Sequence, residues 1–198
     1  MAARGILVTY ETIRQWCLKF GQPFANEVRR RLPRPGDQWH LDEGYLKMNG
    51  QLHDLWRAVD QDGQVLDILL QTRRDKQAAK QFFKKLLKGL RDVPRVVVTD
   101  KLRSYGAALK QLMPRVEHRQ HKGLNNRAEV PPQPTRPQER QQRRFKSAGH
   151  AQRFLSAHAP INHWFRLRRH LLTAADVRAV RAPAFDTWQP VTCAQQAA

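Results

Sequence analysis

Hydrophobic and polar positions alternate between helical and strand-like periods along the chain. Residues 8–20 place Ile13, Trp16, Cys17 and Phe20 at helical spacing behind Thr9, a residue suited to cap a helix start, and predict one amphipathic helix. Arg29–Gly36 is basic and punctuated by Pro33 and Pro35, which predicts a linker. From Trp39 the pattern shortens to strand-like segments, 39–47, 52–60 and 64–72. The turn pairs Asn49-Gly50 and Asp62-Gly63 join them into an antiparallel meander. Residues 75–90 then set Ala78, Ala79, Phe82, Phe83, Leu86, Leu87 and Leu90 on one stripe with lysines opposite, a helix laid on that sheet. Pro94 stops it. Val96-Val97-Val98-Thr99 is β-branched throughout, as a strand buried on both faces should be. A helix over about 102–112, a short strand at Val116–His118 and a third helix capped by Asn126 follow.

Three antiparallel strands, then helix, strand, helix, strand, helix is the order of an α/β ribonuclease H-like fold. It predicts a mixed five-stranded sheet, a three-stranded antiparallel meander plus parallel strands, flanked by helices. Beyond it, residues 133–150 form a basic tract, residues 153–172 regain apolar spacing around Pro160, and the tail holds Pro183 and Pro190 among small residues. The domain division read from this is a partial helix-turn-helix DNA-binding segment at 1–30, a linker at 31–37, a catalytic domain at 38–175 and a poorly ordered tail at 176–198.

Charge narrows the choice of partner. Thirty-six Lys and Arg against 17 Asp and Glu give a formal charge of +19, which calls for a polyanion. No apolar run reaches the roughly 18–20 residues of a spanning helix and no signal peptide precedes Thr9, so nucleic acid is expected rather than membrane, in the cytoplasm. Cys17 and Cys193 match no metal-ligand spacing. The basic tract, with Arg140, Arg143, Arg144 and Lys146, suits phosphate contact or plain solvation. Arg14 and Lys19 are candidate DNA contacts on the first helix.

Against this basic background three acids stand out. Asp42 lies within the first strand, Asp100 closes the apolar strand 95–99, and Glu129 follows Asn125-Asn126. Three clustered carboxylates imply hard divalent cations, and a pair of Mg²⁺ (or Mn²⁺) ions supports phosphodiester chemistry. Each acid also has a plainer role: Asp42 has Glu43 as its rival on the opposite face, Asp100 can cap the next helix, and Glu129 can close a capping box with Asn126. Pro131 adds a local constraint. It cannot donate to the Arg127 carbonyl and its ring collides there, about 3 kcal/mol in a helix interior, so Glu129 rides on a single turn or sits in a loop before a new helix. His118-Arg-Gln-His121 lacks a further ligand pair for zinc and suits phosphate or carboxylate contact instead.

At these residues the chain resembles the DDE transposases of bacterial insertion sequences, the IS six family most closely. The matching phrases are Trp39–Lys47, Trp56-Arg-Ala-Val-Asp60 through Gly63, Val98–Lys101 with Tyr105, Val116–Arg119, Leu124–Asn126 through Glu129, and Arg144–Ser147, within about residues 4–172. The resemblance implies that Asp42, Asp100 and Glu129 are the metal-binding catalytic residues, using two Mg²⁺ (or Mn²⁺) ions. It implies that Arg136 takes the place of a basic DNA-contacting residue, and that the helix-turn-helix begins partway through. The activity implied is recognition of terminal inverted repeats, nicking at 3′ ends and strand transfer into target DNA, by a homo-oligomer, expected to be a dimer. The alternatives are an impaired copy that binds DNA or inhibits an intact transposase, and a ribonuclease H-like nuclease without transfer.

Overall fold

The computed structural model describes residues 7–90, 92–100, 103–120, 145–165 and 173–192. They form two compact units, one of residues up to Pro33 together with those from Ser156 onward, the other Arg34–Leu155.

The larger unit is built on a five-stranded sheet. Strands β1 (Gln38–Met48), β2 (Gln51–Asp60) and β3 (Val65–Gln71) form the meander, and β4 (Val96–Thr99) and β5 (Glu117–Gln120) run parallel to β1. The order across the sheet is β3-β2-β1-β4-β5. With helix α2 (Lys76–Leu90) between β3 and β4 and helix α3 (Arg103–Leu112) between β4 and β5, this is the ribonuclease H-like arrangement. The β1–β2 turn follows its sequence signal: Asn49 and Gly50 both take positive φ, 48° and 81°, as a two-residue type I′ turn requires.

Side chains alternate across a strand, and here the two faces have different covers. Trp39 and Leu41 of β1 join Trp56 and Ala58 of β2 against Phe82, Phe83, Tyr105 and Leu109 of α2 and α3. Tyr105 meets Trp56 edge-on at 5.4 Å between ring centroids. The opposite face holds Leu46, Met48 and Leu70 under Phe145, Ala151 and Phe154, the last two on helix α4 (Ala148–Phe165). Gln152 of α4 pairs with the backbone of β3, accepting from the Leu70 N–H (2.8 Å) and donating to the Ile68 carbonyl (3.0 Å). The sequence places this helix from 153; it starts at 148 because the Ser147 hydroxyl accepts from the His150 N–H.

The smaller unit contains α1 (Tyr10–Arg31), the later part of α4 and α5 (Ala174–Thr192). Thr9 caps α1 through the Thr12 N–H, as its position predicts. The helix then runs past residue 20 into the expected linker. Ala25 and Val28 are buried, and Arg29, Arg30 and Arg31 place positive charge on its carboxyl-terminal dipole. Pro160 lies inside α4, and the carbonyl four residues back, Ser156, accepts from Arg29 (3.1 Å) instead.

Within the tail expected to be poorly ordered, the described residues belong to α5. Thr173 and Asp176 cap each other reciprocally, and Phe185 and Trp188 pack on Phe165 while Trp188 also meets Phe24. Cys17 is an exposed free thiol. Among the described residues no helix is long and apolar enough to cross a membrane.

Candidate active site

The site forms where β1 borders β4, at the carboxyl end of β4. β1 and β4 pair in parallel with Gln38 opposite Val96, Trp39 opposite Val97 and His40 opposite Val98. Carrying that register two residues on brings Asp100 level with Asp42. The carboxyl end of a central strand is where ligands of α/β sheets collect.

The sequence left Asp42 and Glu43 as rivals, and their surroundings separate them. Asp42 shares the face of Leu46 and Met48; its side chain is 21% exposed, and it accepts from Arg57 (2.9 Å), its register partner on β2. Glu43 points to the α2/α3 face, where its side chain is only 2% exposed. It is ion-paired with Arg74, from the β3–α2 connection. Arg74 also donates to the Tyr45 hydroxyl, stacks over that ring (5.7 Å to the centroid) and lies 3.8 Å from Asp100, whose side chain is 40% exposed. Asp42 and Asp100 are thus partly exposed, whereas Glu43 is closed off from solvent. Burial holds the Glu43 carboxyl up, at about 7, and the Asp100 charge pushes the same way, against Tyr105 and Arg74, which favour ionisation. The buried Tyr105 hydroxyl is held well above its ordinary range, by burial first and then by the charges of Glu43, Asp100 and Asp42.

A second set of contacts fixes the backbone at Asp100. The Thr99 hydroxyl donates to the Asp100 carbonyl (2.8 Å) and sits 2.9 Å from His118 Nε2. With its one proton given to the carbonyl, Thr99 accepts from His118, which therefore carries its proton on Nε2. This corrects the expectation of a phosphate or carboxylate contact for His118. Burial lowers the His118 pKa, so the unfolded chain takes up a proton that the folded chain resists. Stability is thus expected to fall as pH drops below the ordinary imidazole value of 6.5, and His118→Asn to flatten that decline in thermal melts between pH 7.5 and 5.

Glu129, Arg136, Arg140, Arg143 and Arg144 lie outside the described residues. Among the described residues no three His, Cys, Asp or Glu side chains gather around one point fit for an ion. Of the candidate DNA contacts that are described, Lys146 is exposed, Arg14 is paired with Glu11 (2.6 Å) and Lys19 rests over the Phe20 ring (5.2 Å). The sequence reading did not single out Arg57, Arg74 or Tyr105 as partners of the acids. The hairpin register from Asn49-Gly50 was the available signal for Arg57, since it sets residue 57 opposite 42.

A mixed five-stranded sheet of this order, with Asp42 on β1 and Asp100 at the end of β4, defines the ribonuclease H-like fold class. Within it, the family model DDE_Tnp_IS240, described as a DDE domain, matches residues 36–168, and the chain belongs to this family of insertion-sequence transposases. It is 29% identical over 113 residues to the transposase for insertion sequence element IS257 in transposon Tn4003 of Staphylococcus aureus, covering 57% of this chain and 50% of that protein. It is 30% identical over 110 residues to the transposase for insertion sequence-like element IS431mec of Staphylococcus aureus (strain Mu50 / ATCC 700699), covering 56% and 49%. The chain thus spans about half the length of the curated relatives it matches. Among solved structures, the catalytic domain of Mos1 mariner transposase is similar with a TM-score of 0.48 at 13% identity, over 87% of this chain and 92% of that one.

Proposed function

We propose that this chain is an insertion-sequence transposase that nicks DNA at the 3′ ends of terminal inverted repeats and transfers those ends into target DNA. The observation that supports the reading is that Asp42 and Asp100 fall level on adjoining strands and are both partly exposed, in a chain of the DDE family.

Their chemistry fits a divalent cation. Both are hard oxygen donors, and Glu129 is the third carboxylate of the set. Asp42, Asp100 and Glu129 would hold two Mg²⁺ (or Mn²⁺) ions, which when bound make the attacking oxygen nucleophilic and stabilise the leaving one. The chain's own residues prepare this place. Arg57 orients the Asp42 carboxylate, and Thr99 and His118 set the backbone from which Asp100 projects. Arg74, anchored by Glu43, adds positive charge beside Asp100, where a DNA phosphate must approach. Basic residues of the 136–146 tract grip the phosphates, and the working form is a homodimer on double-stranded DNA in the cytoplasm.

Incubating the purified chain with a labelled terminal repeat and Mg²⁺ is expected to give a 3′-nicked product and strand-transfer products, both lost with a chelator. Cleavage of DNA lacking any repeat, without transfer, would instead indicate a nuclease. Salt-sensitive DNA binding that Asp42→Ala leaves unchanged, with no nicking in either protein, would indicate a DNA-binding copy alone.

A further inference from the structure

Helix α2 carries a feature that its packing does not require. Its buried stripe, Ala78, Ala79, Phe82, Phe83 and Leu86, accounts for the helix's place on the sheet. On the outer side stand Lys76, Lys80, Lys84 and Lys88, each four residues from the next, so they form one row about 18 Å long. The helix contains no acidic residue.

That arrangement works against the helix. Lysines at i,i+4 repel one another, and only at the helix start does an acid stand beside the row, Asp75, whose carboxylate caps α2 through the Ala78 N–H (2.8 Å). Among the described residues no carboxylate pairs with any of the four. The contrast is Lys85 on the same helix, which is tied to Asp67 (2.7 Å) and the Ile68 carbonyl (2.9 Å). Lys85 serves the fold; of the row of four, Lys76, Lys84 and Lys88 are exposed and Lys80 is half-buried. The row also begins beside the acidic site. Lys76 lies two residues after Arg74, the guanidinium between Glu43 and Asp100.

We propose that the α2 lysine row is a phosphate track for duplex DNA, guiding one strand's backbone along the helix to the Asp42–Asp100 site. The occupant follows from charge and shape. A DNA strand presents one negative charge per roughly 3.4 Å of axis, a winding line of charge that a row of cations turning by about 120° along the helix can meet, and its binding turns the row's repulsion into attraction. This inference rests on the transposase reading for its DNA substrate, and it adds a contact surface separate from the basic tract beyond residue 136.

The test is the salt dependence of affinity for a labelled duplex of arbitrary sequence, measured by fluorescence anisotropy on the full chain. Each phosphate contact contributes about 0.9 to the slope of log affinity against log salt. Replacing Lys76, Lys80, Lys84 and Lys88 together by glutamine is expected to lower that slope by about 3 to 4. The DNA-free melting temperature should stay the same or rise, because the like-charge pairs are gone. Lys80→Gln and Lys84→Gln singly should each lower the slope by about 0.9. Lys47→Gln/Arg115→Gln, which removes two exposed charges elsewhere in the unit, should change it much less per charge. An unchanged slope in the row variants, or an equal loss per charge in the control, overturns the proposal. The two readings fail differently. A normal slope change without metal-dependent nicking in the wild type defeats the transposase reading alone, and intact nicking with an unchanged slope defeats the track alone.

Discussion

Asparagine at Asp42 or at Asp100 is expected to lower strand transfer on the order of 10³-fold, since each change keeps the side chain's size but removes an anionic ligand from the reacting centre. Binding of duplex DNA should not weaken, because a negative charge has been taken from a site that phosphates approach. The comparison with Glu43→Gln decides which acid of the adjacent pair reaches the chemistry. Glu43 faces the helices and its side chain is 2% exposed, so its substitution acts through Arg74 and Tyr105 and should cost much less than Asp42→Asn. Gel assays of nicking and of joining, run side by side for the three variants, check the ranking. A larger loss for Glu43→Gln than for Asp42→Asn would reverse the assignment.

The second large effect concerns stability against pH. The Glu43 carboxyl is raised from 4.5 to about 7 in the folded chain, so between those values the folded state holds a proton that the unfolded state releases. Stability from this group is therefore full below about pH 4.5 and is lost as pH rises through about 7, a change of about 3 kcal/mol for so enclosed a carboxyl. Glu43→Gln cannot titrate and should lack this decline. Urea denaturation of both proteins in metal-free buffer from pH 5 to 8 checks it, using the change with pH rather than the absolute difference, since glutamine also loses the Arg74 ion pair. Parallel pH profiles for the two proteins would show that Glu43 stays ionised throughout.

The sheet was largely legible in the residues because its signals are local. Asn49-Gly50 pins the β1–β2 register, and alternation in β1 and β2 then assigns faces, so Asp42 and Glu43 could be separated onto opposite sides before any coordinates. What alternation could not say is which side is closed. That depends on Tyr105 and Arg74, 62 and 31 residues beyond Glu43, and on helices whose docking no short-range pattern encodes. His118 shows the same limit, since its partner Thr99 lies on the neighbouring strand. The α5 helix was missed for a different reason. Pro183 and Pro190 outweighed the reciprocal Thr173–Asp176 cap and the aromatic anchors Phe185 and Trp188, and it is tertiary packing that makes a proline-bearing helix worthwhile. In α1 likewise, Pro23 did not end the helix, because Ala25 and Val28 find a buried face beyond it.

The central claim is that Asp42, Asp100 and Glu129 hold divalent metal at one place. Loading the chain with Fe²⁺ and generating hydroxyl radicals cuts the backbone next to the bound ion, and mass spectrometry locates the cuts. The account predicts cleavage around residues 42, 100 and 129, suppressed by excess Mg²⁺ and abolished in Asp42→Asn/Asp100→Asn. Cuts at 42 and 100 that never extend to 129, or cuts elsewhere that persist in the double variant, would contradict it.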